Sequence, residues 1–358
     1  MKYLSCLLLE SGMAFGRCDV KPCTPGNKIF WAKDYYGQPF DADAYLKLRN
    51  EYVDMMKRGE IPEQCVGCSN LEERDWPDEP GVEFIAIANE TKCSCNCYYC
   101  WFADEKDYYN KFRSYDVMPI LQSLKDKNLL RHTTLDIVGG ECTEYPKEQL
   151  DTMINFALEN GLWLHFFSSG INYSESIAEA MHKTRANIVV SIDSGTKKMY
   201  EKIKRVKAFD RVWENMAKYA AAGVQDTHVN KGYVILKYII IPGVNDNLSE
   251  LKKFAKKAKE VGWKKHRSFS ITPPQSRDSA YMNTTGGTKI TKNLCLTTFG
   301  NFWTLQKHAE ATLRSNILKM PFTCGEKECW KIKITRAKTP VNIWQVADDS
   351  IHVRIASK

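Results

Sequence analysis

The chain has 358 residues, of which 43% are hydrophobic and 11% aromatic, enough to bury the core of one large domain or two smaller ones. No stretch reaches the ~18 uninterrupted apolar residues of a membrane-spanning helix, and the apolar run at residues 7–9 is too short for a signal peptide. These absences predict a cytoplasmic protein with no membrane contact. The formal net charge is +8, and residues 251–358 hold 21 Lys and Arg against 7 Asp and Glu. Such a basic end suits either an anionic partner, nucleic acid included, or a solvated surface.

The first 80 residues are rich in cysteine. They contain Cys18, Cys23, Cys65 and Cys68, several Gly and Pro residues, and one helical stretch at 44–58. Residues 75–81 combine Pro, Gly and acidic residues, which is typical of a linker. We therefore predict a separate N-terminal region over residues 1–80.

From residue 82 onwards, short apolar runs alternate with longer helix-like segments, which predicts βαβ units and a parallel sheet. The predicted strands cover 82–88, 134–138, 162–167, 188–192, 233–241 and 268–271, and the predicted helices cover 103–129, 146–160, 174–183, 196–222 and 248–261. Either an open doubly wound sheet or a partial barrel fits this pattern. In both folds the functional residues lie at the carboxyl ends of the strands. In this sequence, cysteine, serine and acidic residues directly follow predicted strands, where functional residues are expected.

The C-terminal residues 276–358 show a different pattern. Alternating stretches at 331–335, 341–346 and 350–355 predict a small antiparallel sheet within an α+β region. This region also holds Cys295, Cys324 and Cys329.

Thirteen cysteines in a reducing compartment indicate metal ligands rather than disulfides. In the segment NETKCSCNCYYCWFA, Cys93, Cys97 and Cys100 form a C-x3-C-x2-C pattern. Three thiolates can hold three corners of an iron–sulfur cube and leave one iron open, whereas structural zinc requires four ligands. The alternatives are a zinc site built from Cys65-x2-Cys68 and Cys97-x2-Cys100, or inert buried cysteines.

The sequence resembles the radical S-adenosylmethionine (SAM) superfamily over residues 82–275. The resemblance rests on C-x3-C-x-aromatic-C with Tyr99 as the aromatic residue, and on the segments DIVGGECTEYP, VSIDSGTKKMYEKI and KYIIIPGVNDN. It implies an α/β fold, a partial (β/α)6 TIM-like barrel over residues 81–275, and a 4Fe-4S cluster held by Cys93, Cys97 and Cys100.

The resemblance also implies the chemistry. SAM would chelate the open iron and be cleaved reductively to a 5′-deoxyadenosyl radical that takes hydrogen from a substrate. The protein would be oxygen-sensitive and would need a reductant such as flavodoxin or ferredoxin. Gly139 and Gly140 would admit the methionine part of SAM, and Glu141 would receive its ammonium group.

Further residues are assigned by the same resemblance. Ser169, Ser191 and Asp193 lie where family members contact the ribose or the carboxylate of SAM, although each is also a candidate strand-end cap. The position of a family arginine falls on Lys204, next to Arg205, and its role stays open.

Two cysteines depart from the family pattern. Cys142 replaces a common proline after Gly-Gly-Glu, as a buried filler or as a thiol able to donate hydrogen. Cys95 lies within the motif but out of register, and we expect it to be a bystander.

The N-terminal cysteines resemble an auxiliary-cluster module called SPASM, which in its own family follows the barrel. The pattern C-x4-C…C-x2-C suits a second 4Fe-4S cluster or structural zinc. The expected ligands are Cys18, Cys23, Cys65 and Cys68, with Cys6, Cys324 and Cys329 as further possibilities and Cys295 without an evident partner.

The hypotheses for function are three. A radical SAM enzyme acting on a peptide or protein is favoured by the auxiliary-cluster resemblance. The basic C-terminal third suits a phosphorylated sugar, nucleotide or other small molecule instead. A zinc-stabilised polyanion-binding protein is the alternative from another class, and its affinity would fall steeply with salt.

Overall fold

The computed structural model describes residues 2–23, 29–68, 70–76, 81–100, 103, 115–223, 234–239, 241 and 243–261, and the backbone of strands at 269–272, 331–337, 346–347 and 350–356. These residues divide into two compact units. Residues up to 93 and those at 115–167 form the first unit. Residues 94–100, 103 and those from 168 onwards form the second.

The first unit is a mainly parallel sheet with helices. Its strands are β1 (Lys2–Ser5), β2 (Gly12–Phe15), β3 (Val20–Lys21), β4 (Glu72–Asp75), β5 (Val82–Ile87), β6 (Leu130–Ile137) and β7 (Trp163–Ser168), and its helices are α1 (Leu7–Ser11), α2 (Ala42–Lys57), α3 (Met118–Asp126) and α4 (Lys147–Glu159). Strands β2, β5, β6 and β7 pair in parallel, β3 is antiparallel to β2, and β1 and β4 form a separate antiparallel pair.

The two faces of this sheet differ in residue size. Leu135 and Ile137 of β6 and Leu164 of β7 are 0% exposed, so one face is a fully buried aliphatic layer. On the other face Ala14, Ala86 and Val138 make a small apolar cluster. Helix α2 begins where Asp41 Oδ1 accepts hydrogen bonds from the amides of Asp43 and Ala44, both at 3.0 Å.

The second unit repeats the strand–helix alternation. It contains β8 (Ala186–Ser191), β9 (Val234–Ile239) and β10 (Phe269–Thr272), paired in parallel in that order, and the helices α5 (Glu175–His182), α6 (Lys197–Lys204), α7 (Phe209–Ala222) and α8 (Leu248–Glu260). Strands β11 (Lys331–Ala337), β12 (Val346–Ala347) and β13 (Ser350–Ala356) form a sheet of their own.

The parallel pairing of these strands confirms the predicted α/β class, and each predicted strand from 82 to 271 has a counterpart in the structure. The predicted helix at 196–222 is two helices, because the chain adopts a left-handed conformation at Arg205 with φ of 55°. Helix α3 lies within the predicted helix at 103–129, and residues 104–114 of that prediction lie outside the described residues.

Two features of the chain ends were not predicted from the sequence. Strand β2 pairs with β5, so residues 1–80 share a sheet with the strand that follows the predicted boundary. Strand β11 pairs with β13 in parallel, so the prediction of an antiparallel C-terminal sheet is wrong for this pair, and only β12 is antiparallel to β13 among the described strands. Twelve intervening residues (338–349) are long enough for the crossover that parallel pairing needs.

Within the described residues, the structure has no helix with the length and apolar character that crossing a bilayer requires.

Candidate functional site

The cysteines of the C-x3-C-x2-C motif differ from Cys95 in burial. Cys93, Cys97 and Cys100 are partly exposed, whereas Cys95 is 6% exposed. Cys93 belongs to the first unit, and Cys97 and Cys100 belong to the second. The amide of Cys100 donates to the carbonyl of Cys97 at 3.0 Å, which closes a tight turn between these two residues. The burial pattern is consistent with the expectation that Cys95 stands out of register.

The cysteine loop is attached to the C-terminal end of α6. The amide of Asn96 donates to the carbonyl of Lys204 at 3.1 Å, and the amide of Tyr98 donates to the carbonyl of Ile203 at 2.8 Å. These carbonyls lie in the last turn of a helix, where they lack partners within the helix. The loop amides therefore bond the free carbonyls at the helix end, and these hydrogen bonds hold the loop backbone in place.

A buried network of three side chains holds the same loop. The hydroxyl of Tyr99 donates to Asp193 Oδ2 at 2.6 Å and accepts from Lys204 Nζ at 2.9 Å. Lys204 Nζ lies 2.5 Å from Asp193 Oδ2, and the two charged side chains are 2% and 0% exposed. A buried ion pair of this kind persists only when its remaining hydrogen-bonding atoms are satisfied.

Both carboxylate oxygens of Asp193 bond to other groups of the protein. Oδ2 meets Tyr99 and Lys204, and Oδ1 accepts from the amide of Ile239 at 2.7 Å. Its carbonyl accepts from the side-chain amide of Asn245 at 2.7 Å, and its φ of 64° is left-handed. These contacts favour a positioning role for Asp193 over the expected contact with SAM.

The charges of this network affect its neighbours. Burial alone would lower the pKa of the Lys204 ammonium, but the Asp193 carboxylate outweighs burial and holds that pKa well above its usual range. A hydrogen bond with Cys95, together with the Lys204 ammonium, lowers the pKa of the Cys97 thiol to about 7 against the opposing effect of burial. The Cys97 thiol therefore deprotonates more easily than an ordinary cysteine, and the thiolate is the form that binds metal.

The Gly139-Gly140-Glu141 turn follows β6 and packs on the segment that leads into Cys93. A Cβ atom at Gly140 would lie 2.4 Å from the carbonyl oxygen of Lys92, and one at Gly139 would lie 3.0 Å from that of Glu90. Both glycines have positive φ, 81° and 40° in chain order. Only glycine fits this close backbone approach.

Glu141 is held in the same turn. Its amide donates to the carbonyl of Lys92 at 2.7 Å, and its Oε1 accepts from the amide and the hydroxyl of Thr143 at 3.3 and 2.8 Å. The side chain of Cys142 lies 3.7 Å from the same oxygen, and both residues are buried. The structure thus fixes the predicted Gly-Gly-Glu residues beside the start of the cysteine motif.

Ser169 and Ser191 lie at the ends of β7 and β8. Ser169 Oγ accepts from the amide of Ile171 at 3.4 Å, as in a local turn, and Ser191 ends its strand opposite Lys237 in register. Both are partly exposed. Their assignment to SAM stays a prediction.

The N-terminal cysteines are grouped differently from the spacing-based set. Cys6 and Cys65 belong to one apolar core cluster, and Cys23 packs against it. Cys68 follows Cys65 by a turn in which its amide donates to the Cys65 carbonyl at 3.0 Å. Cys18 is partly exposed, and Cys295, Cys324 and Cys329 lie outside the described residues.

Three polar residues on strands were missed by the sequence analysis. Asp136 of β6 and His165 of β7 face each other in register, with 3.1 Å between Asp136 Oδ1 and His165 Nδ1. Burial raises the pKa of Asp136, and the bond to His165 opposes that rise. Burial also lowers the pKa of Lys237. Each of these polar residues stands between apolar residues of its strand, in the tripeptides LDI, LHF and LKY. A polar residue within an apolar strand was the sequence signal that could have identified them.

Within the part of the chain that the structure describes, no three His, Cys, Asp or Glu side chains stand in an arrangement that would hold a single metal ion. The donor set of the motif nevertheless suits an iron–sulfur cluster, because such a cluster binds one thiolate at each of its irons, whereas structural zinc wants four ligands.

Comparison with known proteins gives one family match. The model of the radical SAM superfamily matches residues 91–258. None of the curated proteins compared matches the chain.

Several solved structures are similar in fold. SuiB of Streptococcus suis bound to precursor peptide SuiA is 15% identical with a TM-score of 0.44, over 71% of this chain and 50% of that one. Native anSMEcpe with bound AdoMet and Cp18Cys peptide is 15% identical with a TM-score of 0.40, over 55% of this chain and 52% of that one. A radical SAM methyltransferase from Sphaerobacter thermophilus is 14% identical with a TM-score of 0.35, over 52% and 54%. The chain thus spans about half the length of each.

Proposed function

We propose that the chain is a radical SAM enzyme that cleaves SAM reductively at a 4Fe-4S cluster held by Cys93, Cys97 and Cys100. The match of the radical SAM superfamily model to residues 91–258 supports this assignment. When bound, such a cluster supplies an electron that breaks the S–C5′ bond of SAM, and the resulting 5′-deoxyadenosyl radical takes hydrogen from the substrate. The zinc-stabilised polyanion-binding alternative is set aside, because the chain is an enzyme.

One observation carries the proposal. The Gly139-Gly140-Glu141 turn packs on the backbone immediately before Cys93 so closely that Gly140 has no room for a Cβ atom. This packing brings the proposed SAM-binding turn beside the first thiol of the motif. Glycine backbone with a nearby carboxylate suits a ligand that has both a flexible chain and an ammonium group.

The other residues of the site bind and orient. Glu141 accepts the ammonium of SAM, and Ser169 and Ser191 offer hydroxyls to its ribose or carboxylate. Asp193 and Lys204 keep the cysteine loop in place through Tyr99 instead of contacting SAM. The lowered pKa of Cys97 favours its thiolate at neutral pH, which lowers the cost of binding iron.

The test is anaerobic reconstitution with iron and sulfide, followed by reduction in the presence of SAM. Wild type is expected to retain iron and to release 5′-deoxyadenosine, and Cys97→Ala is expected to release none. Cys95→Ser is the matched control, since serine keeps a hydrogen-bond donor for Cys97 and Cys95 is outside the register of the motif. Stoichiometric zinc, or full turnover by Cys97→Ala, would refute the ligand assignment.

A second experiment isolates SAM recognition from cleavage. Glu141→Ala is expected to weaken SAM binding roughly ten- to hundredfold, as loss of a charge-assisted hydrogen bond of about 1.5–3 kcal/mol implies. Glu144→Ala, in the same short 3-10 helix at Cys142–Glu144, is the control and should bind SAM as wild type does. Equal affinity of both variants would remove the role of Glu141.

We also propose that the substrate is a peptide or protein and that the enzyme acts in the cytoplasm with a flavodoxin or ferredoxin as reductant. The support is the cysteine-rich segment with Cys18, Cys23, Cys65 and Cys68, which resembles a SPASM-type auxiliary module. A phosphorylated small molecule is the second candidate, because residues 251–358 are strongly basic. Product analysis by mass spectrometry with each class of substrate distinguishes them: the true class raises 5′-deoxyadenosine release above the substrate-free rate.

A further inference from the structure

A polar pair lies on the small-residue face of the sheet in the first unit. Four neighbouring strands, β2, β5, β6 and β7, contribute one residue each to a single row across the sheet, and in that order these are Ala14, Ala86, Asp136 and His165. Ala14 and Ala86 are 3% and 1% exposed and belong to the small apolar cluster of this face. The row therefore has an apolar half and a polar half.

The side chains of Asp136 and His165 bond each other within this row. Asp136 Oδ1 lies 3.1 Å from His165 Nδ1, and the two side chains are 9% and 28% exposed. A carboxylate only accepts hydrogen bonds, so Nδ1 carries the hydrogen and the neutral ring presents Nε2 as an acceptor. Burial raises the pKa of Asp136, and the hydrogen bond with His165 opposes that rise. Asp136 thus determines which ring nitrogen of His165 is able to accept.

The second ring nitrogen of His165 is buried and has no hydrogen-bond partner in the part of the chain that the structure describes. The ring of Phe167 packs on the imidazole, with 4.7 Å between the ring centroids and 55° between the planes, and offers it no polar hydrogen. A buried acceptor without a donor costs free energy, and such atoms in proteins usually meet water, an ion or a ligand. His165 Nε2 is therefore the polar contact that this row offers to a ligand.

The pair lies close to the turn to which the proposed function assigns SAM. Asp136 precedes Gly139 by three residues, which is about 10 Å of extended chain. Val138, between them, belongs to the same small apolar cluster as Ala14 and Ala86. A molecule that lies over this face of the first unit can therefore contact both the turn and His165.

We propose that His165 binds the substrate by accepting, at Nε2, a hydrogen bond from an amide N–H of a peptide, and that Asp136 is the positioning residue that holds the ring tautomer. This inference rests on the proposed function, for which it names a contact with the peptide or protein substrate. Small-molecule and peptide sites combine apolar surface with a few placed polar groups, as this row does. A phosphate group would need a donor or a positive charge at the same position, and a neutral ring with Nε2 as acceptor offers neither.

The first experiment determines the tautomer in the full chain. With nitrogen-15 histidine, the NMR signals of the His165 ring, identified by their loss in His165→Gln, are expected at mildly alkaline pH to show a protonated Nδ1 and an unprotonated Nε2. Asp136→Asn is expected to increase the share of rings protonated at Nε2, because a neutral amide is a weaker acceptor than a carboxylate. A proton on Nε2 in the wild type would overturn the acceptor role.

The second experiment titrates the same labelled chain with N-methylacetamide, which carries the N–H of a peptide group, and with N,N-dimethylacetamide, which lacks it. N-methylacetamide is expected to shift the Nε2 signal of His165 to saturation, and N,N-dimethylacetamide is expected to leave it unchanged. Asp136→Asn should need about twofold or more N-methylacetamide for the same shift, because the accepting tautomer is less populated. His182, an exposed histidine of α5, is the internal control and should respond alike to both amides.

Neither titration uses SAM or a cluster, so a failure of the proposed SAM chemistry leaves their results unchanged. Equal responses of His165 to the two amides, or no response to either, would overturn the proposal. A shift with inorganic phosphate in place of N-methylacetamide would also overturn it, and would favour the phosphorylated substrate class.

Discussion

Tyr99 connects the cysteine motif to charge buried behind it. Its hydroxyl bonds both Asp193 and Lys204, at 2.6 and 2.9 Å. Burial and the Asp193 carboxylate raise the pKa of the phenol well above its usual value, so Tyr99 stays protonated and keeps donating. A neutral donor at this position joins the loop to the ion pair without adding a third charge.

Tyr99→Phe removes both hydrogen bonds and keeps the ring in place. We expect the variant to lose about 1–3 kcal/mol of unfolding free energy, the cost of leaving buried polar groups unsatisfied, and to retain less iron after reconstitution. Denaturant unfolding of the metal-free protein measures the first effect and iron analysis the second. Tyr98→Phe is the control, since Tyr98 is 47% exposed, and a loss of equal size there would show that the network is not the cause.

The pKa of Cys97 makes a pH-dependent prediction for the metal-free protein. The folded state lowers this pKa from 9.0 to about 7, so thiolate is present above about pH 7 and is lost as pH falls through that value. Alkylation by iodoacetamide, followed at Cys97 by mass spectrometry, should therefore reach half its limiting rate near pH 7.

Lys204→Met should shift that midpoint upward, because the lysine ammonium is one of the groups that lower the pKa of Cys97. Lys202→Met is the comparison, since Lys202 is an exposed residue of the same helix. A midpoint near that of an ordinary thiol in wild type would contradict the electrostatic account of the loop.

At the scale of elements, the turn after β6 depends on close backbone packing. A Cβ atom at Gly140 would approach the Lys92 carbonyl to 2.4 Å, whereas one at Gly161 would meet nothing within 4 Å, and both glycines have positive φ. Each alanine substitution pays about 1–2 kcal/mol for its left-handed backbone. Only the substitution at Gly140 must also separate the turn from the segment before Cys93.

Gly140→Ala should therefore weaken SAM binding by more than about tenfold and reduce retained iron, whereas Gly161→Ala should lower stability alone. Equilibrium dialysis with SAM and iron analysis on both variants make the measurement. Equal SAM affinity of Gly140→Ala and wild type would mean that the turn can move away from Lys92 without disturbing the site.

The elements that the sequence predicted well are those whose hydrophobic period is strong. The segments at 146–160, 174–183 and 248–261 agree closely with α4, α5 and α8, because buried side chains recur along one helix face. The break at Arg205 was missed, since a single left-handed residue leaves the period on both sides intact. The pairing of β2 with β5 was missed because GMAF is short and shows no alternation.

The sequence predicted which residues form the motif, but it did not predict how the surrounding side chains are arranged in space. The spacing of Cys93, Cys97 and Cys100 is local information, and a resemblance can carry it. Asp193 and Lys204 form an ion pair although they are eleven positions apart, and they contact a loop that lies roughly a hundred residues earlier. No local sequence pattern predicts these contacts. Long-range contacts of this kind depend on how strands and helices pack, so the sequence alone could not predict that Asp193 joins this network.

For the whole molecule, the proposed cluster site is open in two respects. Its cysteines Cys93, Cys97 and Cys100 are partly exposed, and three thiolates leave one iron without a protein ligand. A ligand that occupies the open iron stabilises the loaded site by mass action. SAM should therefore protect the bound iron against loss.

Reconstituted protein exposed to air should then lose iron more slowly when SAM is present than when it is absent, as followed by visible absorbance and a coloured ferrous chelator. The Cys93, Cys97 and Cys100 triple alanine variant should show no such protection, because it lacks the open iron that SAM would occupy. Equal rates of iron loss in wild type with and without SAM would show that SAM does not occupy that iron.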